Sequence, residues 1–175
     1  AGGNYRDHGY DYTGAMKVLE TILRYGYLWT KVRVQGGAYG AGARFDRSGV
    51  LYLSSYRDPN LAETLKTYRD LPAYLESFDA DAREMTKYVI GTVSLLDTPL
   101  TTAMHLEKAI AAYMTGLPQD VVQKGRDQVI DCQVADIRAL APVVKDVLSD
   151  GYLCVVGGQS KIEDHKDLFH KVVKA

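Results

Sequence analysis

The sequence predicts an α+β fold in which helices cover one face of a mainly antiparallel sheet. Two apolar extended runs lie near residues 38–46 and 50–56, and the segments around them repeat apolar residues with helical spacing. The predicted order is a helix, a two-stranded hairpin, about five helices, a short strand and a last helix. Because two strands are rarely stable alone, the sheet needs a further strand, which we expect from residues ahead of Ala1.

The composition is that of one globular domain. The chain has 175 residues, 46% of them hydrophobic and 25% charged, with a formal net charge of −1. Because it shows no basic surplus and no run of eighteen apolar residues, we expect no nucleic-acid partner and no membrane partner. The sequence starts at Ala1 without an initiator methionine and is expected to be a domain excised from a longer protein.

The first predicted helix follows Thr13, which can act as its N-cap. Apolar residues then recur at positions i, i+3, i+4 and i+7, the spacing of one helix face. That face consists of Ala15, Val18, Leu19, Ile22, Tyr25, Gly26 and Trp29.

A β-hairpin is predicted after this helix. The run GVLYLSSY, from Gly49 to Tyr56, is rich in apolar and aromatic residues and predicts a buried strand. The extended run at residues 38–46 is its predicted partner. The residues DRSG between them favour a turn, so the two runs are expected to pair as a hairpin.

Helices are predicted from here to about residue 130. Asp58 is the expected N-cap of the next helix, with Pro59 at its first position. Pro72 is expected to kink or break this helix, because proline cannot donate the backbone hydrogen bond. The other helices are predicted from near Asp79 to Asp97, from Thr101 or Thr102 to Gly116, and from Pro118 to about Ile130.

The C-terminal part is predicted to contain helix, strand and helix. The helical stretch after residue 133 is expected to break near Leu140, because Pro142 lies inside it. The run YLCVV, from Tyr152 to Val156, predicts a short apolar strand. Ser160 and Glu163 have the spacing of a capping box for the last helix.

The glycine-rich segment between residues 36 and 42 does not favour a phosphate-binding loop. Gly40-Ala41-Gly42 gives the start of a dinucleotide fingerprint, but Phe45 stands where its third glycine should be. The segment also leads into a strand, so no helix N-terminus is available for an anion. Residues 155–163 lie between a strand and a helix, where a plain turn with a capped helix is the favoured interpretation.

The sequence evidence for a metal site or a catalytic nucleophile is equally weak. His165 and His170 are five positions apart and do not share a helix face, and no local pattern of zinc ligands occurs. Cys132 and Cys154 have neither metal spacing nor a histidine nearby, so they are predicted to be free, buried thiols in a reducing compartment.

Arg33 and Tyr39 form the one pair of residues with a plausible chemical role. If the chain between them is extended, both side chains can project toward one cleft, and glycines allow close backbone approach. Arginine and tyrosine can both donate hydrogen bonds to a carbonyl oxygen on which negative charge develops. The alternative, which the spacing leaves open, is an arginine in a surface ion pair and a tyrosine in the core.

Four short motifs carry a family resemblance. They are Tyr27-Leu28-Trp29, Val32-Arg33-Val34, Gly36-Gly37-Ala38-Tyr39-Gly40 and Ser55-Tyr56-Arg57-Asp58-Pro59-Asn60. Together they resemble the C-terminal region of the presequence-protease branch of the pitrilysin/insulysin metallopeptidases. The run from Asn4 to Gly14 fits the segment upstream, and the helical remainder fits in order.

The resemblance implies the repeated α+β domain of large zinc peptidases, in which four such domains form two halves that close around a peptide chamber. The zinc motif His-x-x-Glu-His belongs to the N-terminal half of such enzymes. This sequence has no such motif. Residues 1–175 would then be a single metal-free C-terminal domain. Zinc would be the cofactor of the parent enzyme, and the partners would be the N-terminal zinc-binding half and a peptide substrate.

The resemblance also implies roles for the glycine segment. In the family, an arginine and a tyrosine of the C-terminal half reach the zinc site and assist at the scissile carbonyl. Arg33 and Tyr39 match those motif positions, with Gly36 and Gly37 beside the substrate. The isolated domain is expected to be inactive. The expected compartment is reducing, either the cytoplasm of a bacterium or the matrix of a eukaryotic organelle.

Two other functions stay open. The chain could be a non-catalytic scaffold or binding domain of the same fold, which would lack the zinc motif upstream. It could also be an independent small-ligand module that uses the glycine segment, which a nucleotide titration would reveal.

Overall fold

The sheet has three antiparallel strands in the order β1-β3-β2. The computed structural model describes residues 1–174, and the strands are β1 (Gly2–Asn4), β2 (Gly40–Phe45) and β3 (Val50–Tyr56). The predicted hairpin is confirmed: Gly40 lies opposite Tyr56, and Phe45 lies opposite Leu51. The third strand is β1, so the chain itself supplies the partner that we expected from residues ahead of Ala1.

Only one face of the sheet is buried. Leu51 and Leu53 of β3 lie in the core, whereas Val50, Tyr52 and Tyr56 are exposed, because successive side chains of a strand point to opposite faces. The prediction of a buried β3 is therefore right for alternate residues only. The helices lie on the buried side, as the fold class predicts, with α1 (Ala15–Ile22) against β2 and α7 (Ala141–Ser149) against β1.

The first helix is longer than its apolar spacing predicts. It begins after Gly14, and the Thr13 hydroxyl accepts a hydrogen bond from the amide of Ala15 at 3.4 Å. After α1 the chain continues as two π-helical stretches, Leu23–Tyr27 and Trp29–Gln35. Such wide helical turns are rare and are often found at functional sites.

Helix α2 (Leu61–Glu76) contradicts two predictions. It runs unbroken through Pro72, whose ring is buried beside Leu71 and Leu75, so core packing holds the helix across the lost hydrogen bond. Its N-cap is Asn60 and not Asp58. Asp58 instead accepts a hydrogen bond from the Asn60 amide at 2.9 Å, which orders the approach to the helix.

The middle helices match the sequence closely. Asp81 caps α3 and Thr101 caps α4, each through its side chain, and Gly116 ends α4 in the left-handed conformation. The predicted break at Pro142 separates α6 from α7. The bounds are α3 Ala82–Leu96, α4 Thr102–Thr115, α5 Gln119–Ile130 and α6 Val134–Arg138.

Of the C-terminal predictions, the break near Leu140 and a last helix are confirmed, whereas the strand and the capping box are wrong. Residues 152–156 form no strand, although the carbonyl of Tyr152 accepts a hydrogen bond from the Gly2 amide at 3.2 Å. The last helix is α8 (Gln159–Glu163), with Gly158 as its N-cap, so Ser160 lies inside the helix and makes no capping box. No side chain caps this helix, and the Gly158 carbonyl accepts its first hydrogen bond, from the Ile162 amide at 3.2 Å.

The two cysteines differ in exposure. Both are free thiols, but Cys132 is buried and Cys154 is exposed, so the prediction of buried thiols holds only for Cys132. Across residues 1–174, no helix has the length and apolar character needed to cross a membrane.

Candidate functional site

Arg33 lies in the second π-helical stretch and not in an extended segment. The prediction of an extended chain from Arg33 to Tyr39 is wrong, because the helix that starts at α1 continues to Gln35. The Arg33 guanidinium carbon lies 3.9 Å from the centroid of the Trp29 ring. Arg33 makes no ion pair within residues 1–174, so the open alternative of a surface ion pair does not describe it.

Gly36 and Gly37 turn the chain from this helix into β2. Gly37 has a φ of 75°, in the left-handed region that favours glycine. A β-carbon on Gly36 would come within 2.5 Å of the Val32 carbonyl oxygen. The Asn60 side-chain amide donates to the Gly36 carbonyl at 2.5 Å, so the turn is fastened to the start of α2. Both glycines are therefore required by the backbone path itself.

Tyr39 lies on the surface directly after the glycine turn. Tyr39 is 66% exposed, so the alternative prediction of a tyrosine in the core is wrong. The ring meets the Tyr56 ring edge to face, with 5.9 Å between centroids, and the Tyr39 amide donates to the Tyr56 carbonyl at 3.1 Å. These two contacts hold the backbone and the ring while the side chain stays open to solvent.

Arg57 completes this surface and was missed by the sequence reasoning. Its guanidinium carbon lies 5.8 Å from the Tyr39 ring centroid and 5.4 Å from that of Tyr56. Arg57 is the one residue other than glycine with a positive φ in the described part of the chain, at 48°. Backbone conformations of this kind cluster at functional sites. The only signal in the sequence was its place in the motif from Ser55 to Asn60.

Two arginines thus lie on exposed aromatic rings around one glycine turn. Arg57, like Arg33, forms no ion pair with any described residue. A guanidinium that stacks through its face keeps its in-plane N–H groups available. Each arginine can therefore donate hydrogen bonds to a carbonyl or carboxylate, and the ring beside it can contact an apolar group.

For zinc, which the family resemblance implies for the parent enzyme, the part of the chain that the structure describes shows no cluster of ligands. Within residues 1–174, no three side chains of histidine, cysteine, aspartate or glutamate come close enough together to hold a metal ion. His8 is engaged with Asp150 at 3.0 Å, and the ring of His165 contacts the Lys161 carbonyl at 3.0 Å. The chemistry that Arg33, Tyr39 and Arg57 offer is hydrogen bonding and positive charge.

Comparison with known proteins agrees with the resemblance. The chain is 45% identical over 171 residues to Protein HypA of Clostridium perfringens, an alignment that covers 98% of this chain and 18% of that protein. It is 30% identical over 177 residues to Presequence protease 1, chloroplastic/mitochondrial, of Arabidopsis thaliana, covering 99% of this chain and 16% of that protein. The mitochondrial presequence protease of Mus musculus is 30% identical over 114 residues, covering 65% of this chain and 11% of that protein.

The chain therefore spans less than a fifth of the length of these relatives. A family model described as the PreP C-terminal domain matches residues 1–160, which include the glycine turn, both arginines and all three strands. The chain belongs to the PreP C-terminal domain family.

Proposed function

We propose that this chain is the C-terminal, non-zinc-binding domain of a zinc metallopeptidase that degrades peptides in a closed chamber. In this proposal Arg33 and Tyr39 bind the substrate and stabilise the transition state. One observation supports these roles above the others: Tyr39 is exposed and Arg33 is half-buried on either side of one glycine turn, and Arg33 has no ion pair in the described chain. Their hydrogen-bonding capacity is thus available to a ligand.

Arg33 would act as an electrophilic donor to the scissile carbonyl. As the tetrahedral centre forms, its oxygen becomes negative, and a fixed cation nearby lowers the free energy of that state more than that of the substrate. The Trp29 ring, 3.9 Å from the guanidinium carbon, restrains the head group on one side. A restrained donor loses less conformational entropy when the transition state forms.

Tyr39 would donate its phenolic O–H to the same oxygen or to a neighbouring substrate carbonyl. Its edge-to-face contact with Tyr56 restrains the ring, and its hydroxyl extends from an exposed position. Gly36 and Gly37 would lie beside the substrate, where the lack of side chains lets a peptide backbone approach the turn. The Asn60 bond to the Gly36 carbonyl would keep this surface from shifting.

Zinc and a glutamate base would come from the N-terminal half of the same polypeptide, and this domain would supply part of the chamber wall. Helix α4 supports such a partner, because it has no buried residue and exposes apolar side chains at Leu106, Ile110 and Met114. Exposed apolar patches of this kind mark interaction surfaces. The isolated domain would cleave nothing, and the parent would act in a reducing compartment such as a bacterial cytoplasm or an organelle matrix.

A non-catalytic scaffold of the same fold is the second candidate, and the apolar surface of α4 is compatible with it as well. The two candidates differ upstream of this chain. A zinc peptidase of the proposed kind needs the motif His-x-x-Glu-His in the polypeptide that precedes Ala1, and a scaffold lacks it.

The test is steady-state kinetics of the full-length protein on a fluorogenic peptide, with Arg33→Ala and Tyr39→Phe compared with the wild type. Loss of a transition-state donor should lower kcat by about 10²–10³-fold with little change in KM. Arg83→Ala, an exposed arginine of α3, is the matched control and should keep full turnover. Unchanged kcat in both site variants would reject the assigned roles.

A further inference from the structure

Strand β2 has an open edge, because it lies last in the sheet order and pairs with β3 on one side only. The Phe45 amide donates to the Glu20 carboxylate at 2.6 Å, so this amide points away from β3. Alternate residues of an antiparallel strand direct their backbone groups to the same side, so those of Ala43 and Ala41 also point away from β3. No described residue forms a hydrogen bond with them there. Two N–H donors and two C=O acceptors are therefore unpaired at this edge.

The unpaired part of the edge has two defined ends. Glu20 occupies the edge at Phe45, and at the other end the Ala38 amide donates to the Val32 carbonyl at 3.1 Å. Residues 40–44 lie between these ends and span about 16 Å at the rise of a strand. Proteins commonly protect such an edge with a charged residue or a proline. The run from Gly40 to Ala43 contains neither, so a further strand can pair there.

A groove of about 260 Å³ lies beside this edge. Glu20, whose carboxylate binds the Phe45 amide, also lines the groove, which places the groove on the open side of β2. Helices α1 and α3 form the other walls. The walls include Ala43 and Arg44 of β2, Lys17, Glu20 and Arg24 of α1, and Leu95 of α3. A side chain from a strand added at the edge can therefore enter the groove.

The charged side chains of the groove are three cations and one carboxylate. The Lys17 ammonium lies 2.7 Å from the Glu20 carboxylate, so these two charges offset each other. The Arg44 guanidinium lies 3.6 Å from the Asp46 carboxylate. Arg24 is exposed and forms no ion pair with any residue in the described part of the chain. The groove therefore keeps an uncompensated positive charge, which favours an acidic side chain.

We propose that the peptide substrate adds to the edge of β2 as a fourth strand and directs an acidic side chain toward Arg24. This inference rests on the proposed function, which supplies the peptide as the occupant. The open edge begins directly after Tyr39, so a strand paired with Ala41 lies about 7 Å along the chain from the proposed donor. A second copy paired through its own β2 would instead bring Arg24 and Arg44 of both copies together, and like charges repel.

The alternation of the added strand decides which of its side chains are recognised. Ala43 lies opposite the buried Leu53, so the substrate residue beside Ala43 directs its side chain to the helix side, where the groove lies. The next substrate residue, beside Gly42, directs its side chain to the solvent face. A β-carbon on Gly42 would meet nothing within 4 Å, so that face has room. Backbone pairing supplies the affinity for varied peptides, and the groove adds a preference at alternate residues.

The test uses a blocked eight-residue peptide in which valine and glutamate alternate. Amide exchange of the 175-residue chain is followed by NMR with and without a saturating concentration of this peptide. Exchange at Ala41 and Ala43 should slow by about tenfold or more, because their N–H groups become paired. The Phe45 amide is the internal control and should change less than about twofold, since it is already bonded to Glu20. Unchanged exchange at Ala41 and Ala43 would overturn the proposal.

Methylation of the peptide nitrogens separates strand pairing from other modes of binding. In either direction of the peptide, alternate residues turn their N–H groups toward β2. Methylation of one alternate set should therefore weaken binding about tenfold or more, and methylation of the other set should change it less than about twofold. Equal effects of the two patterns would overturn strand addition. This comparison leaves the protein unaltered, so it does not depend on the folding of a variant.

The preference for an acidic side chain is tested at Arg24. A peptide with glutamine in place of glutamate should bind about two- to fivefold more weakly, the effect of losing one exposed ion pair. Arg24→Ala should weaken the glutamate peptide by a similar factor and leave the glutamine peptide unchanged. Arg83→Ala, an exposed arginine of α3 outside the groove lining, is the matched control and should bind both peptides as the wild type does. Equal affinity of the wild type for both peptides would overturn the assignment of Arg24.

Two further measurements distinguish the substrate from other occupants of the edge. Protection of Ala41 and Ala43 that grows with the concentration of the chain alone would identify a second copy and overturn the proposal. Slow exchange of residues 40–44 in the peptide-free full-length protein, measured by mass spectrometry, would show that the rest of the polypeptide covers the edge, with the same consequence. None of these readouts depends on zinc or turnover, so a failure here would leave the proposed roles of Arg33 and Tyr39 to be decided by their kcat.

Discussion

Arg33 and Trp29 stack within one helical segment, with 3.9 Å between the guanidinium carbon and the ring centroid. The contact joins the arginine to the motif Tyr27-Leu28-Trp29, which precedes it by one turn. Trp29 is 41% exposed, so the stack lies at the surface, where a ligand can reach the free edge of the guanidinium. The tryptophan thus has a positioning role in the proposed site.

Replacing Trp29 by leucine should lower kcat of the full-length protein about two- to fivefold, which is less than the loss from Arg33→Ala. A cation–π contact at an exposed site contributes about 0.5–1 kcal/mol, and its loss frees the arginine to adopt other rotamers. KM should change little. The matched control is Tyr25→Leu, an exposed aromatic residue of the preceding π-helical stretch, which should keep wild-type kinetics. Wild-type kcat for Trp29→Leu would contradict the positioning role.

Substitution of Gly37 by alanine should destabilise the chain by about 1–2 kcal/mol, because a β-carbon is strained at its φ of 75°. Gly40 offers the control: its φ is not positive, and a β-carbon there meets nothing within 4 Å. Gly40→Ala should change stability by no more than about 0.5 kcal/mol. Urea unfolding followed by circular dichroism measures both. Equal effects of the two substitutions would show that the turn does not require the left-handed conformation.

A buried pair of threonines should couple α1 to α3. The hydroxyls of Thr21 and Thr92 lie 2.7 Å apart, and Thr92 also donates to the Tyr88 carbonyl at 2.8 Å, so Thr21 is the donor to Thr92. Thr92→Val should cost about 1–3 kcal/mol, because it leaves the buried Thr21 hydroxyl with only a long bond to the Lys17 carbonyl.

The double variant Thr21→Val/Thr92→Val should cost less than the sum of the two single variants, by at least about 0.5 kcal/mol, since no unsatisfied hydroxyl remains. Denaturant midpoints of the four proteins measure this coupling. Strict additivity would mean that the two hydroxyls do not interact in solution.

The ion pair of His8 and Asp150 should make stability depend on pH. The hydrogen bond to Asp150, at 3.0 Å, raises the pKa of His8 above its ordinary value of 6.5. Since the folded pKa is higher than the unfolded one, the stabilisation is complete below about pH 6.5 and is lost as pH rises through the folded pKa. Asp150→Asn should therefore destabilise the chain more at pH 5 than at pH 8.5.

Two measurements check this dependence. Proton NMR should place the His8 pKa above 6.5 in the wild type and near 6.5 in Asp150→Asn. An unchanged His8 titration in the variant would show that Asp150 does not hold the imidazolium.

Much of the architecture could be predicted from the sequence, because interactions between residues close in the sequence determine it. The DRSG turn placed the hairpin correctly, Thr101 and Gly116 gave both ends of α4, and Pro142 gave the break before α7. Each of these depends on a hydrogen bond or a φ value within four residues. The identity of the two site residues also came from a local motif, and it stays a prediction until their turnover is measured.

The structural predictions that failed concern features that depend on contacts between residues distant in the sequence. Pro72 fails to break α2 because neighbouring buried side chains stabilise the helix around it, and β1 was missed because three residues, two of them glycine, carry no strand pattern. Arg57 was missed because its left-handed backbone and its two ring contacts exist only once β2 and β3 have paired.

The sequence by itself determined the α+β class, the hairpin, most helix ends and the family motifs, because these follow from local hydrogen bonding and apolar periodicity. Tertiary structure alone decided that the chain reaches Arg33 as a helix and that Tyr39 lies at the surface, because packing of α1, the hairpin and α2 fixes the path of the glycine turn. It also decided that β1 pairs with β3, because this pairing joins residues about fifty positions apart and no local pattern encodes it.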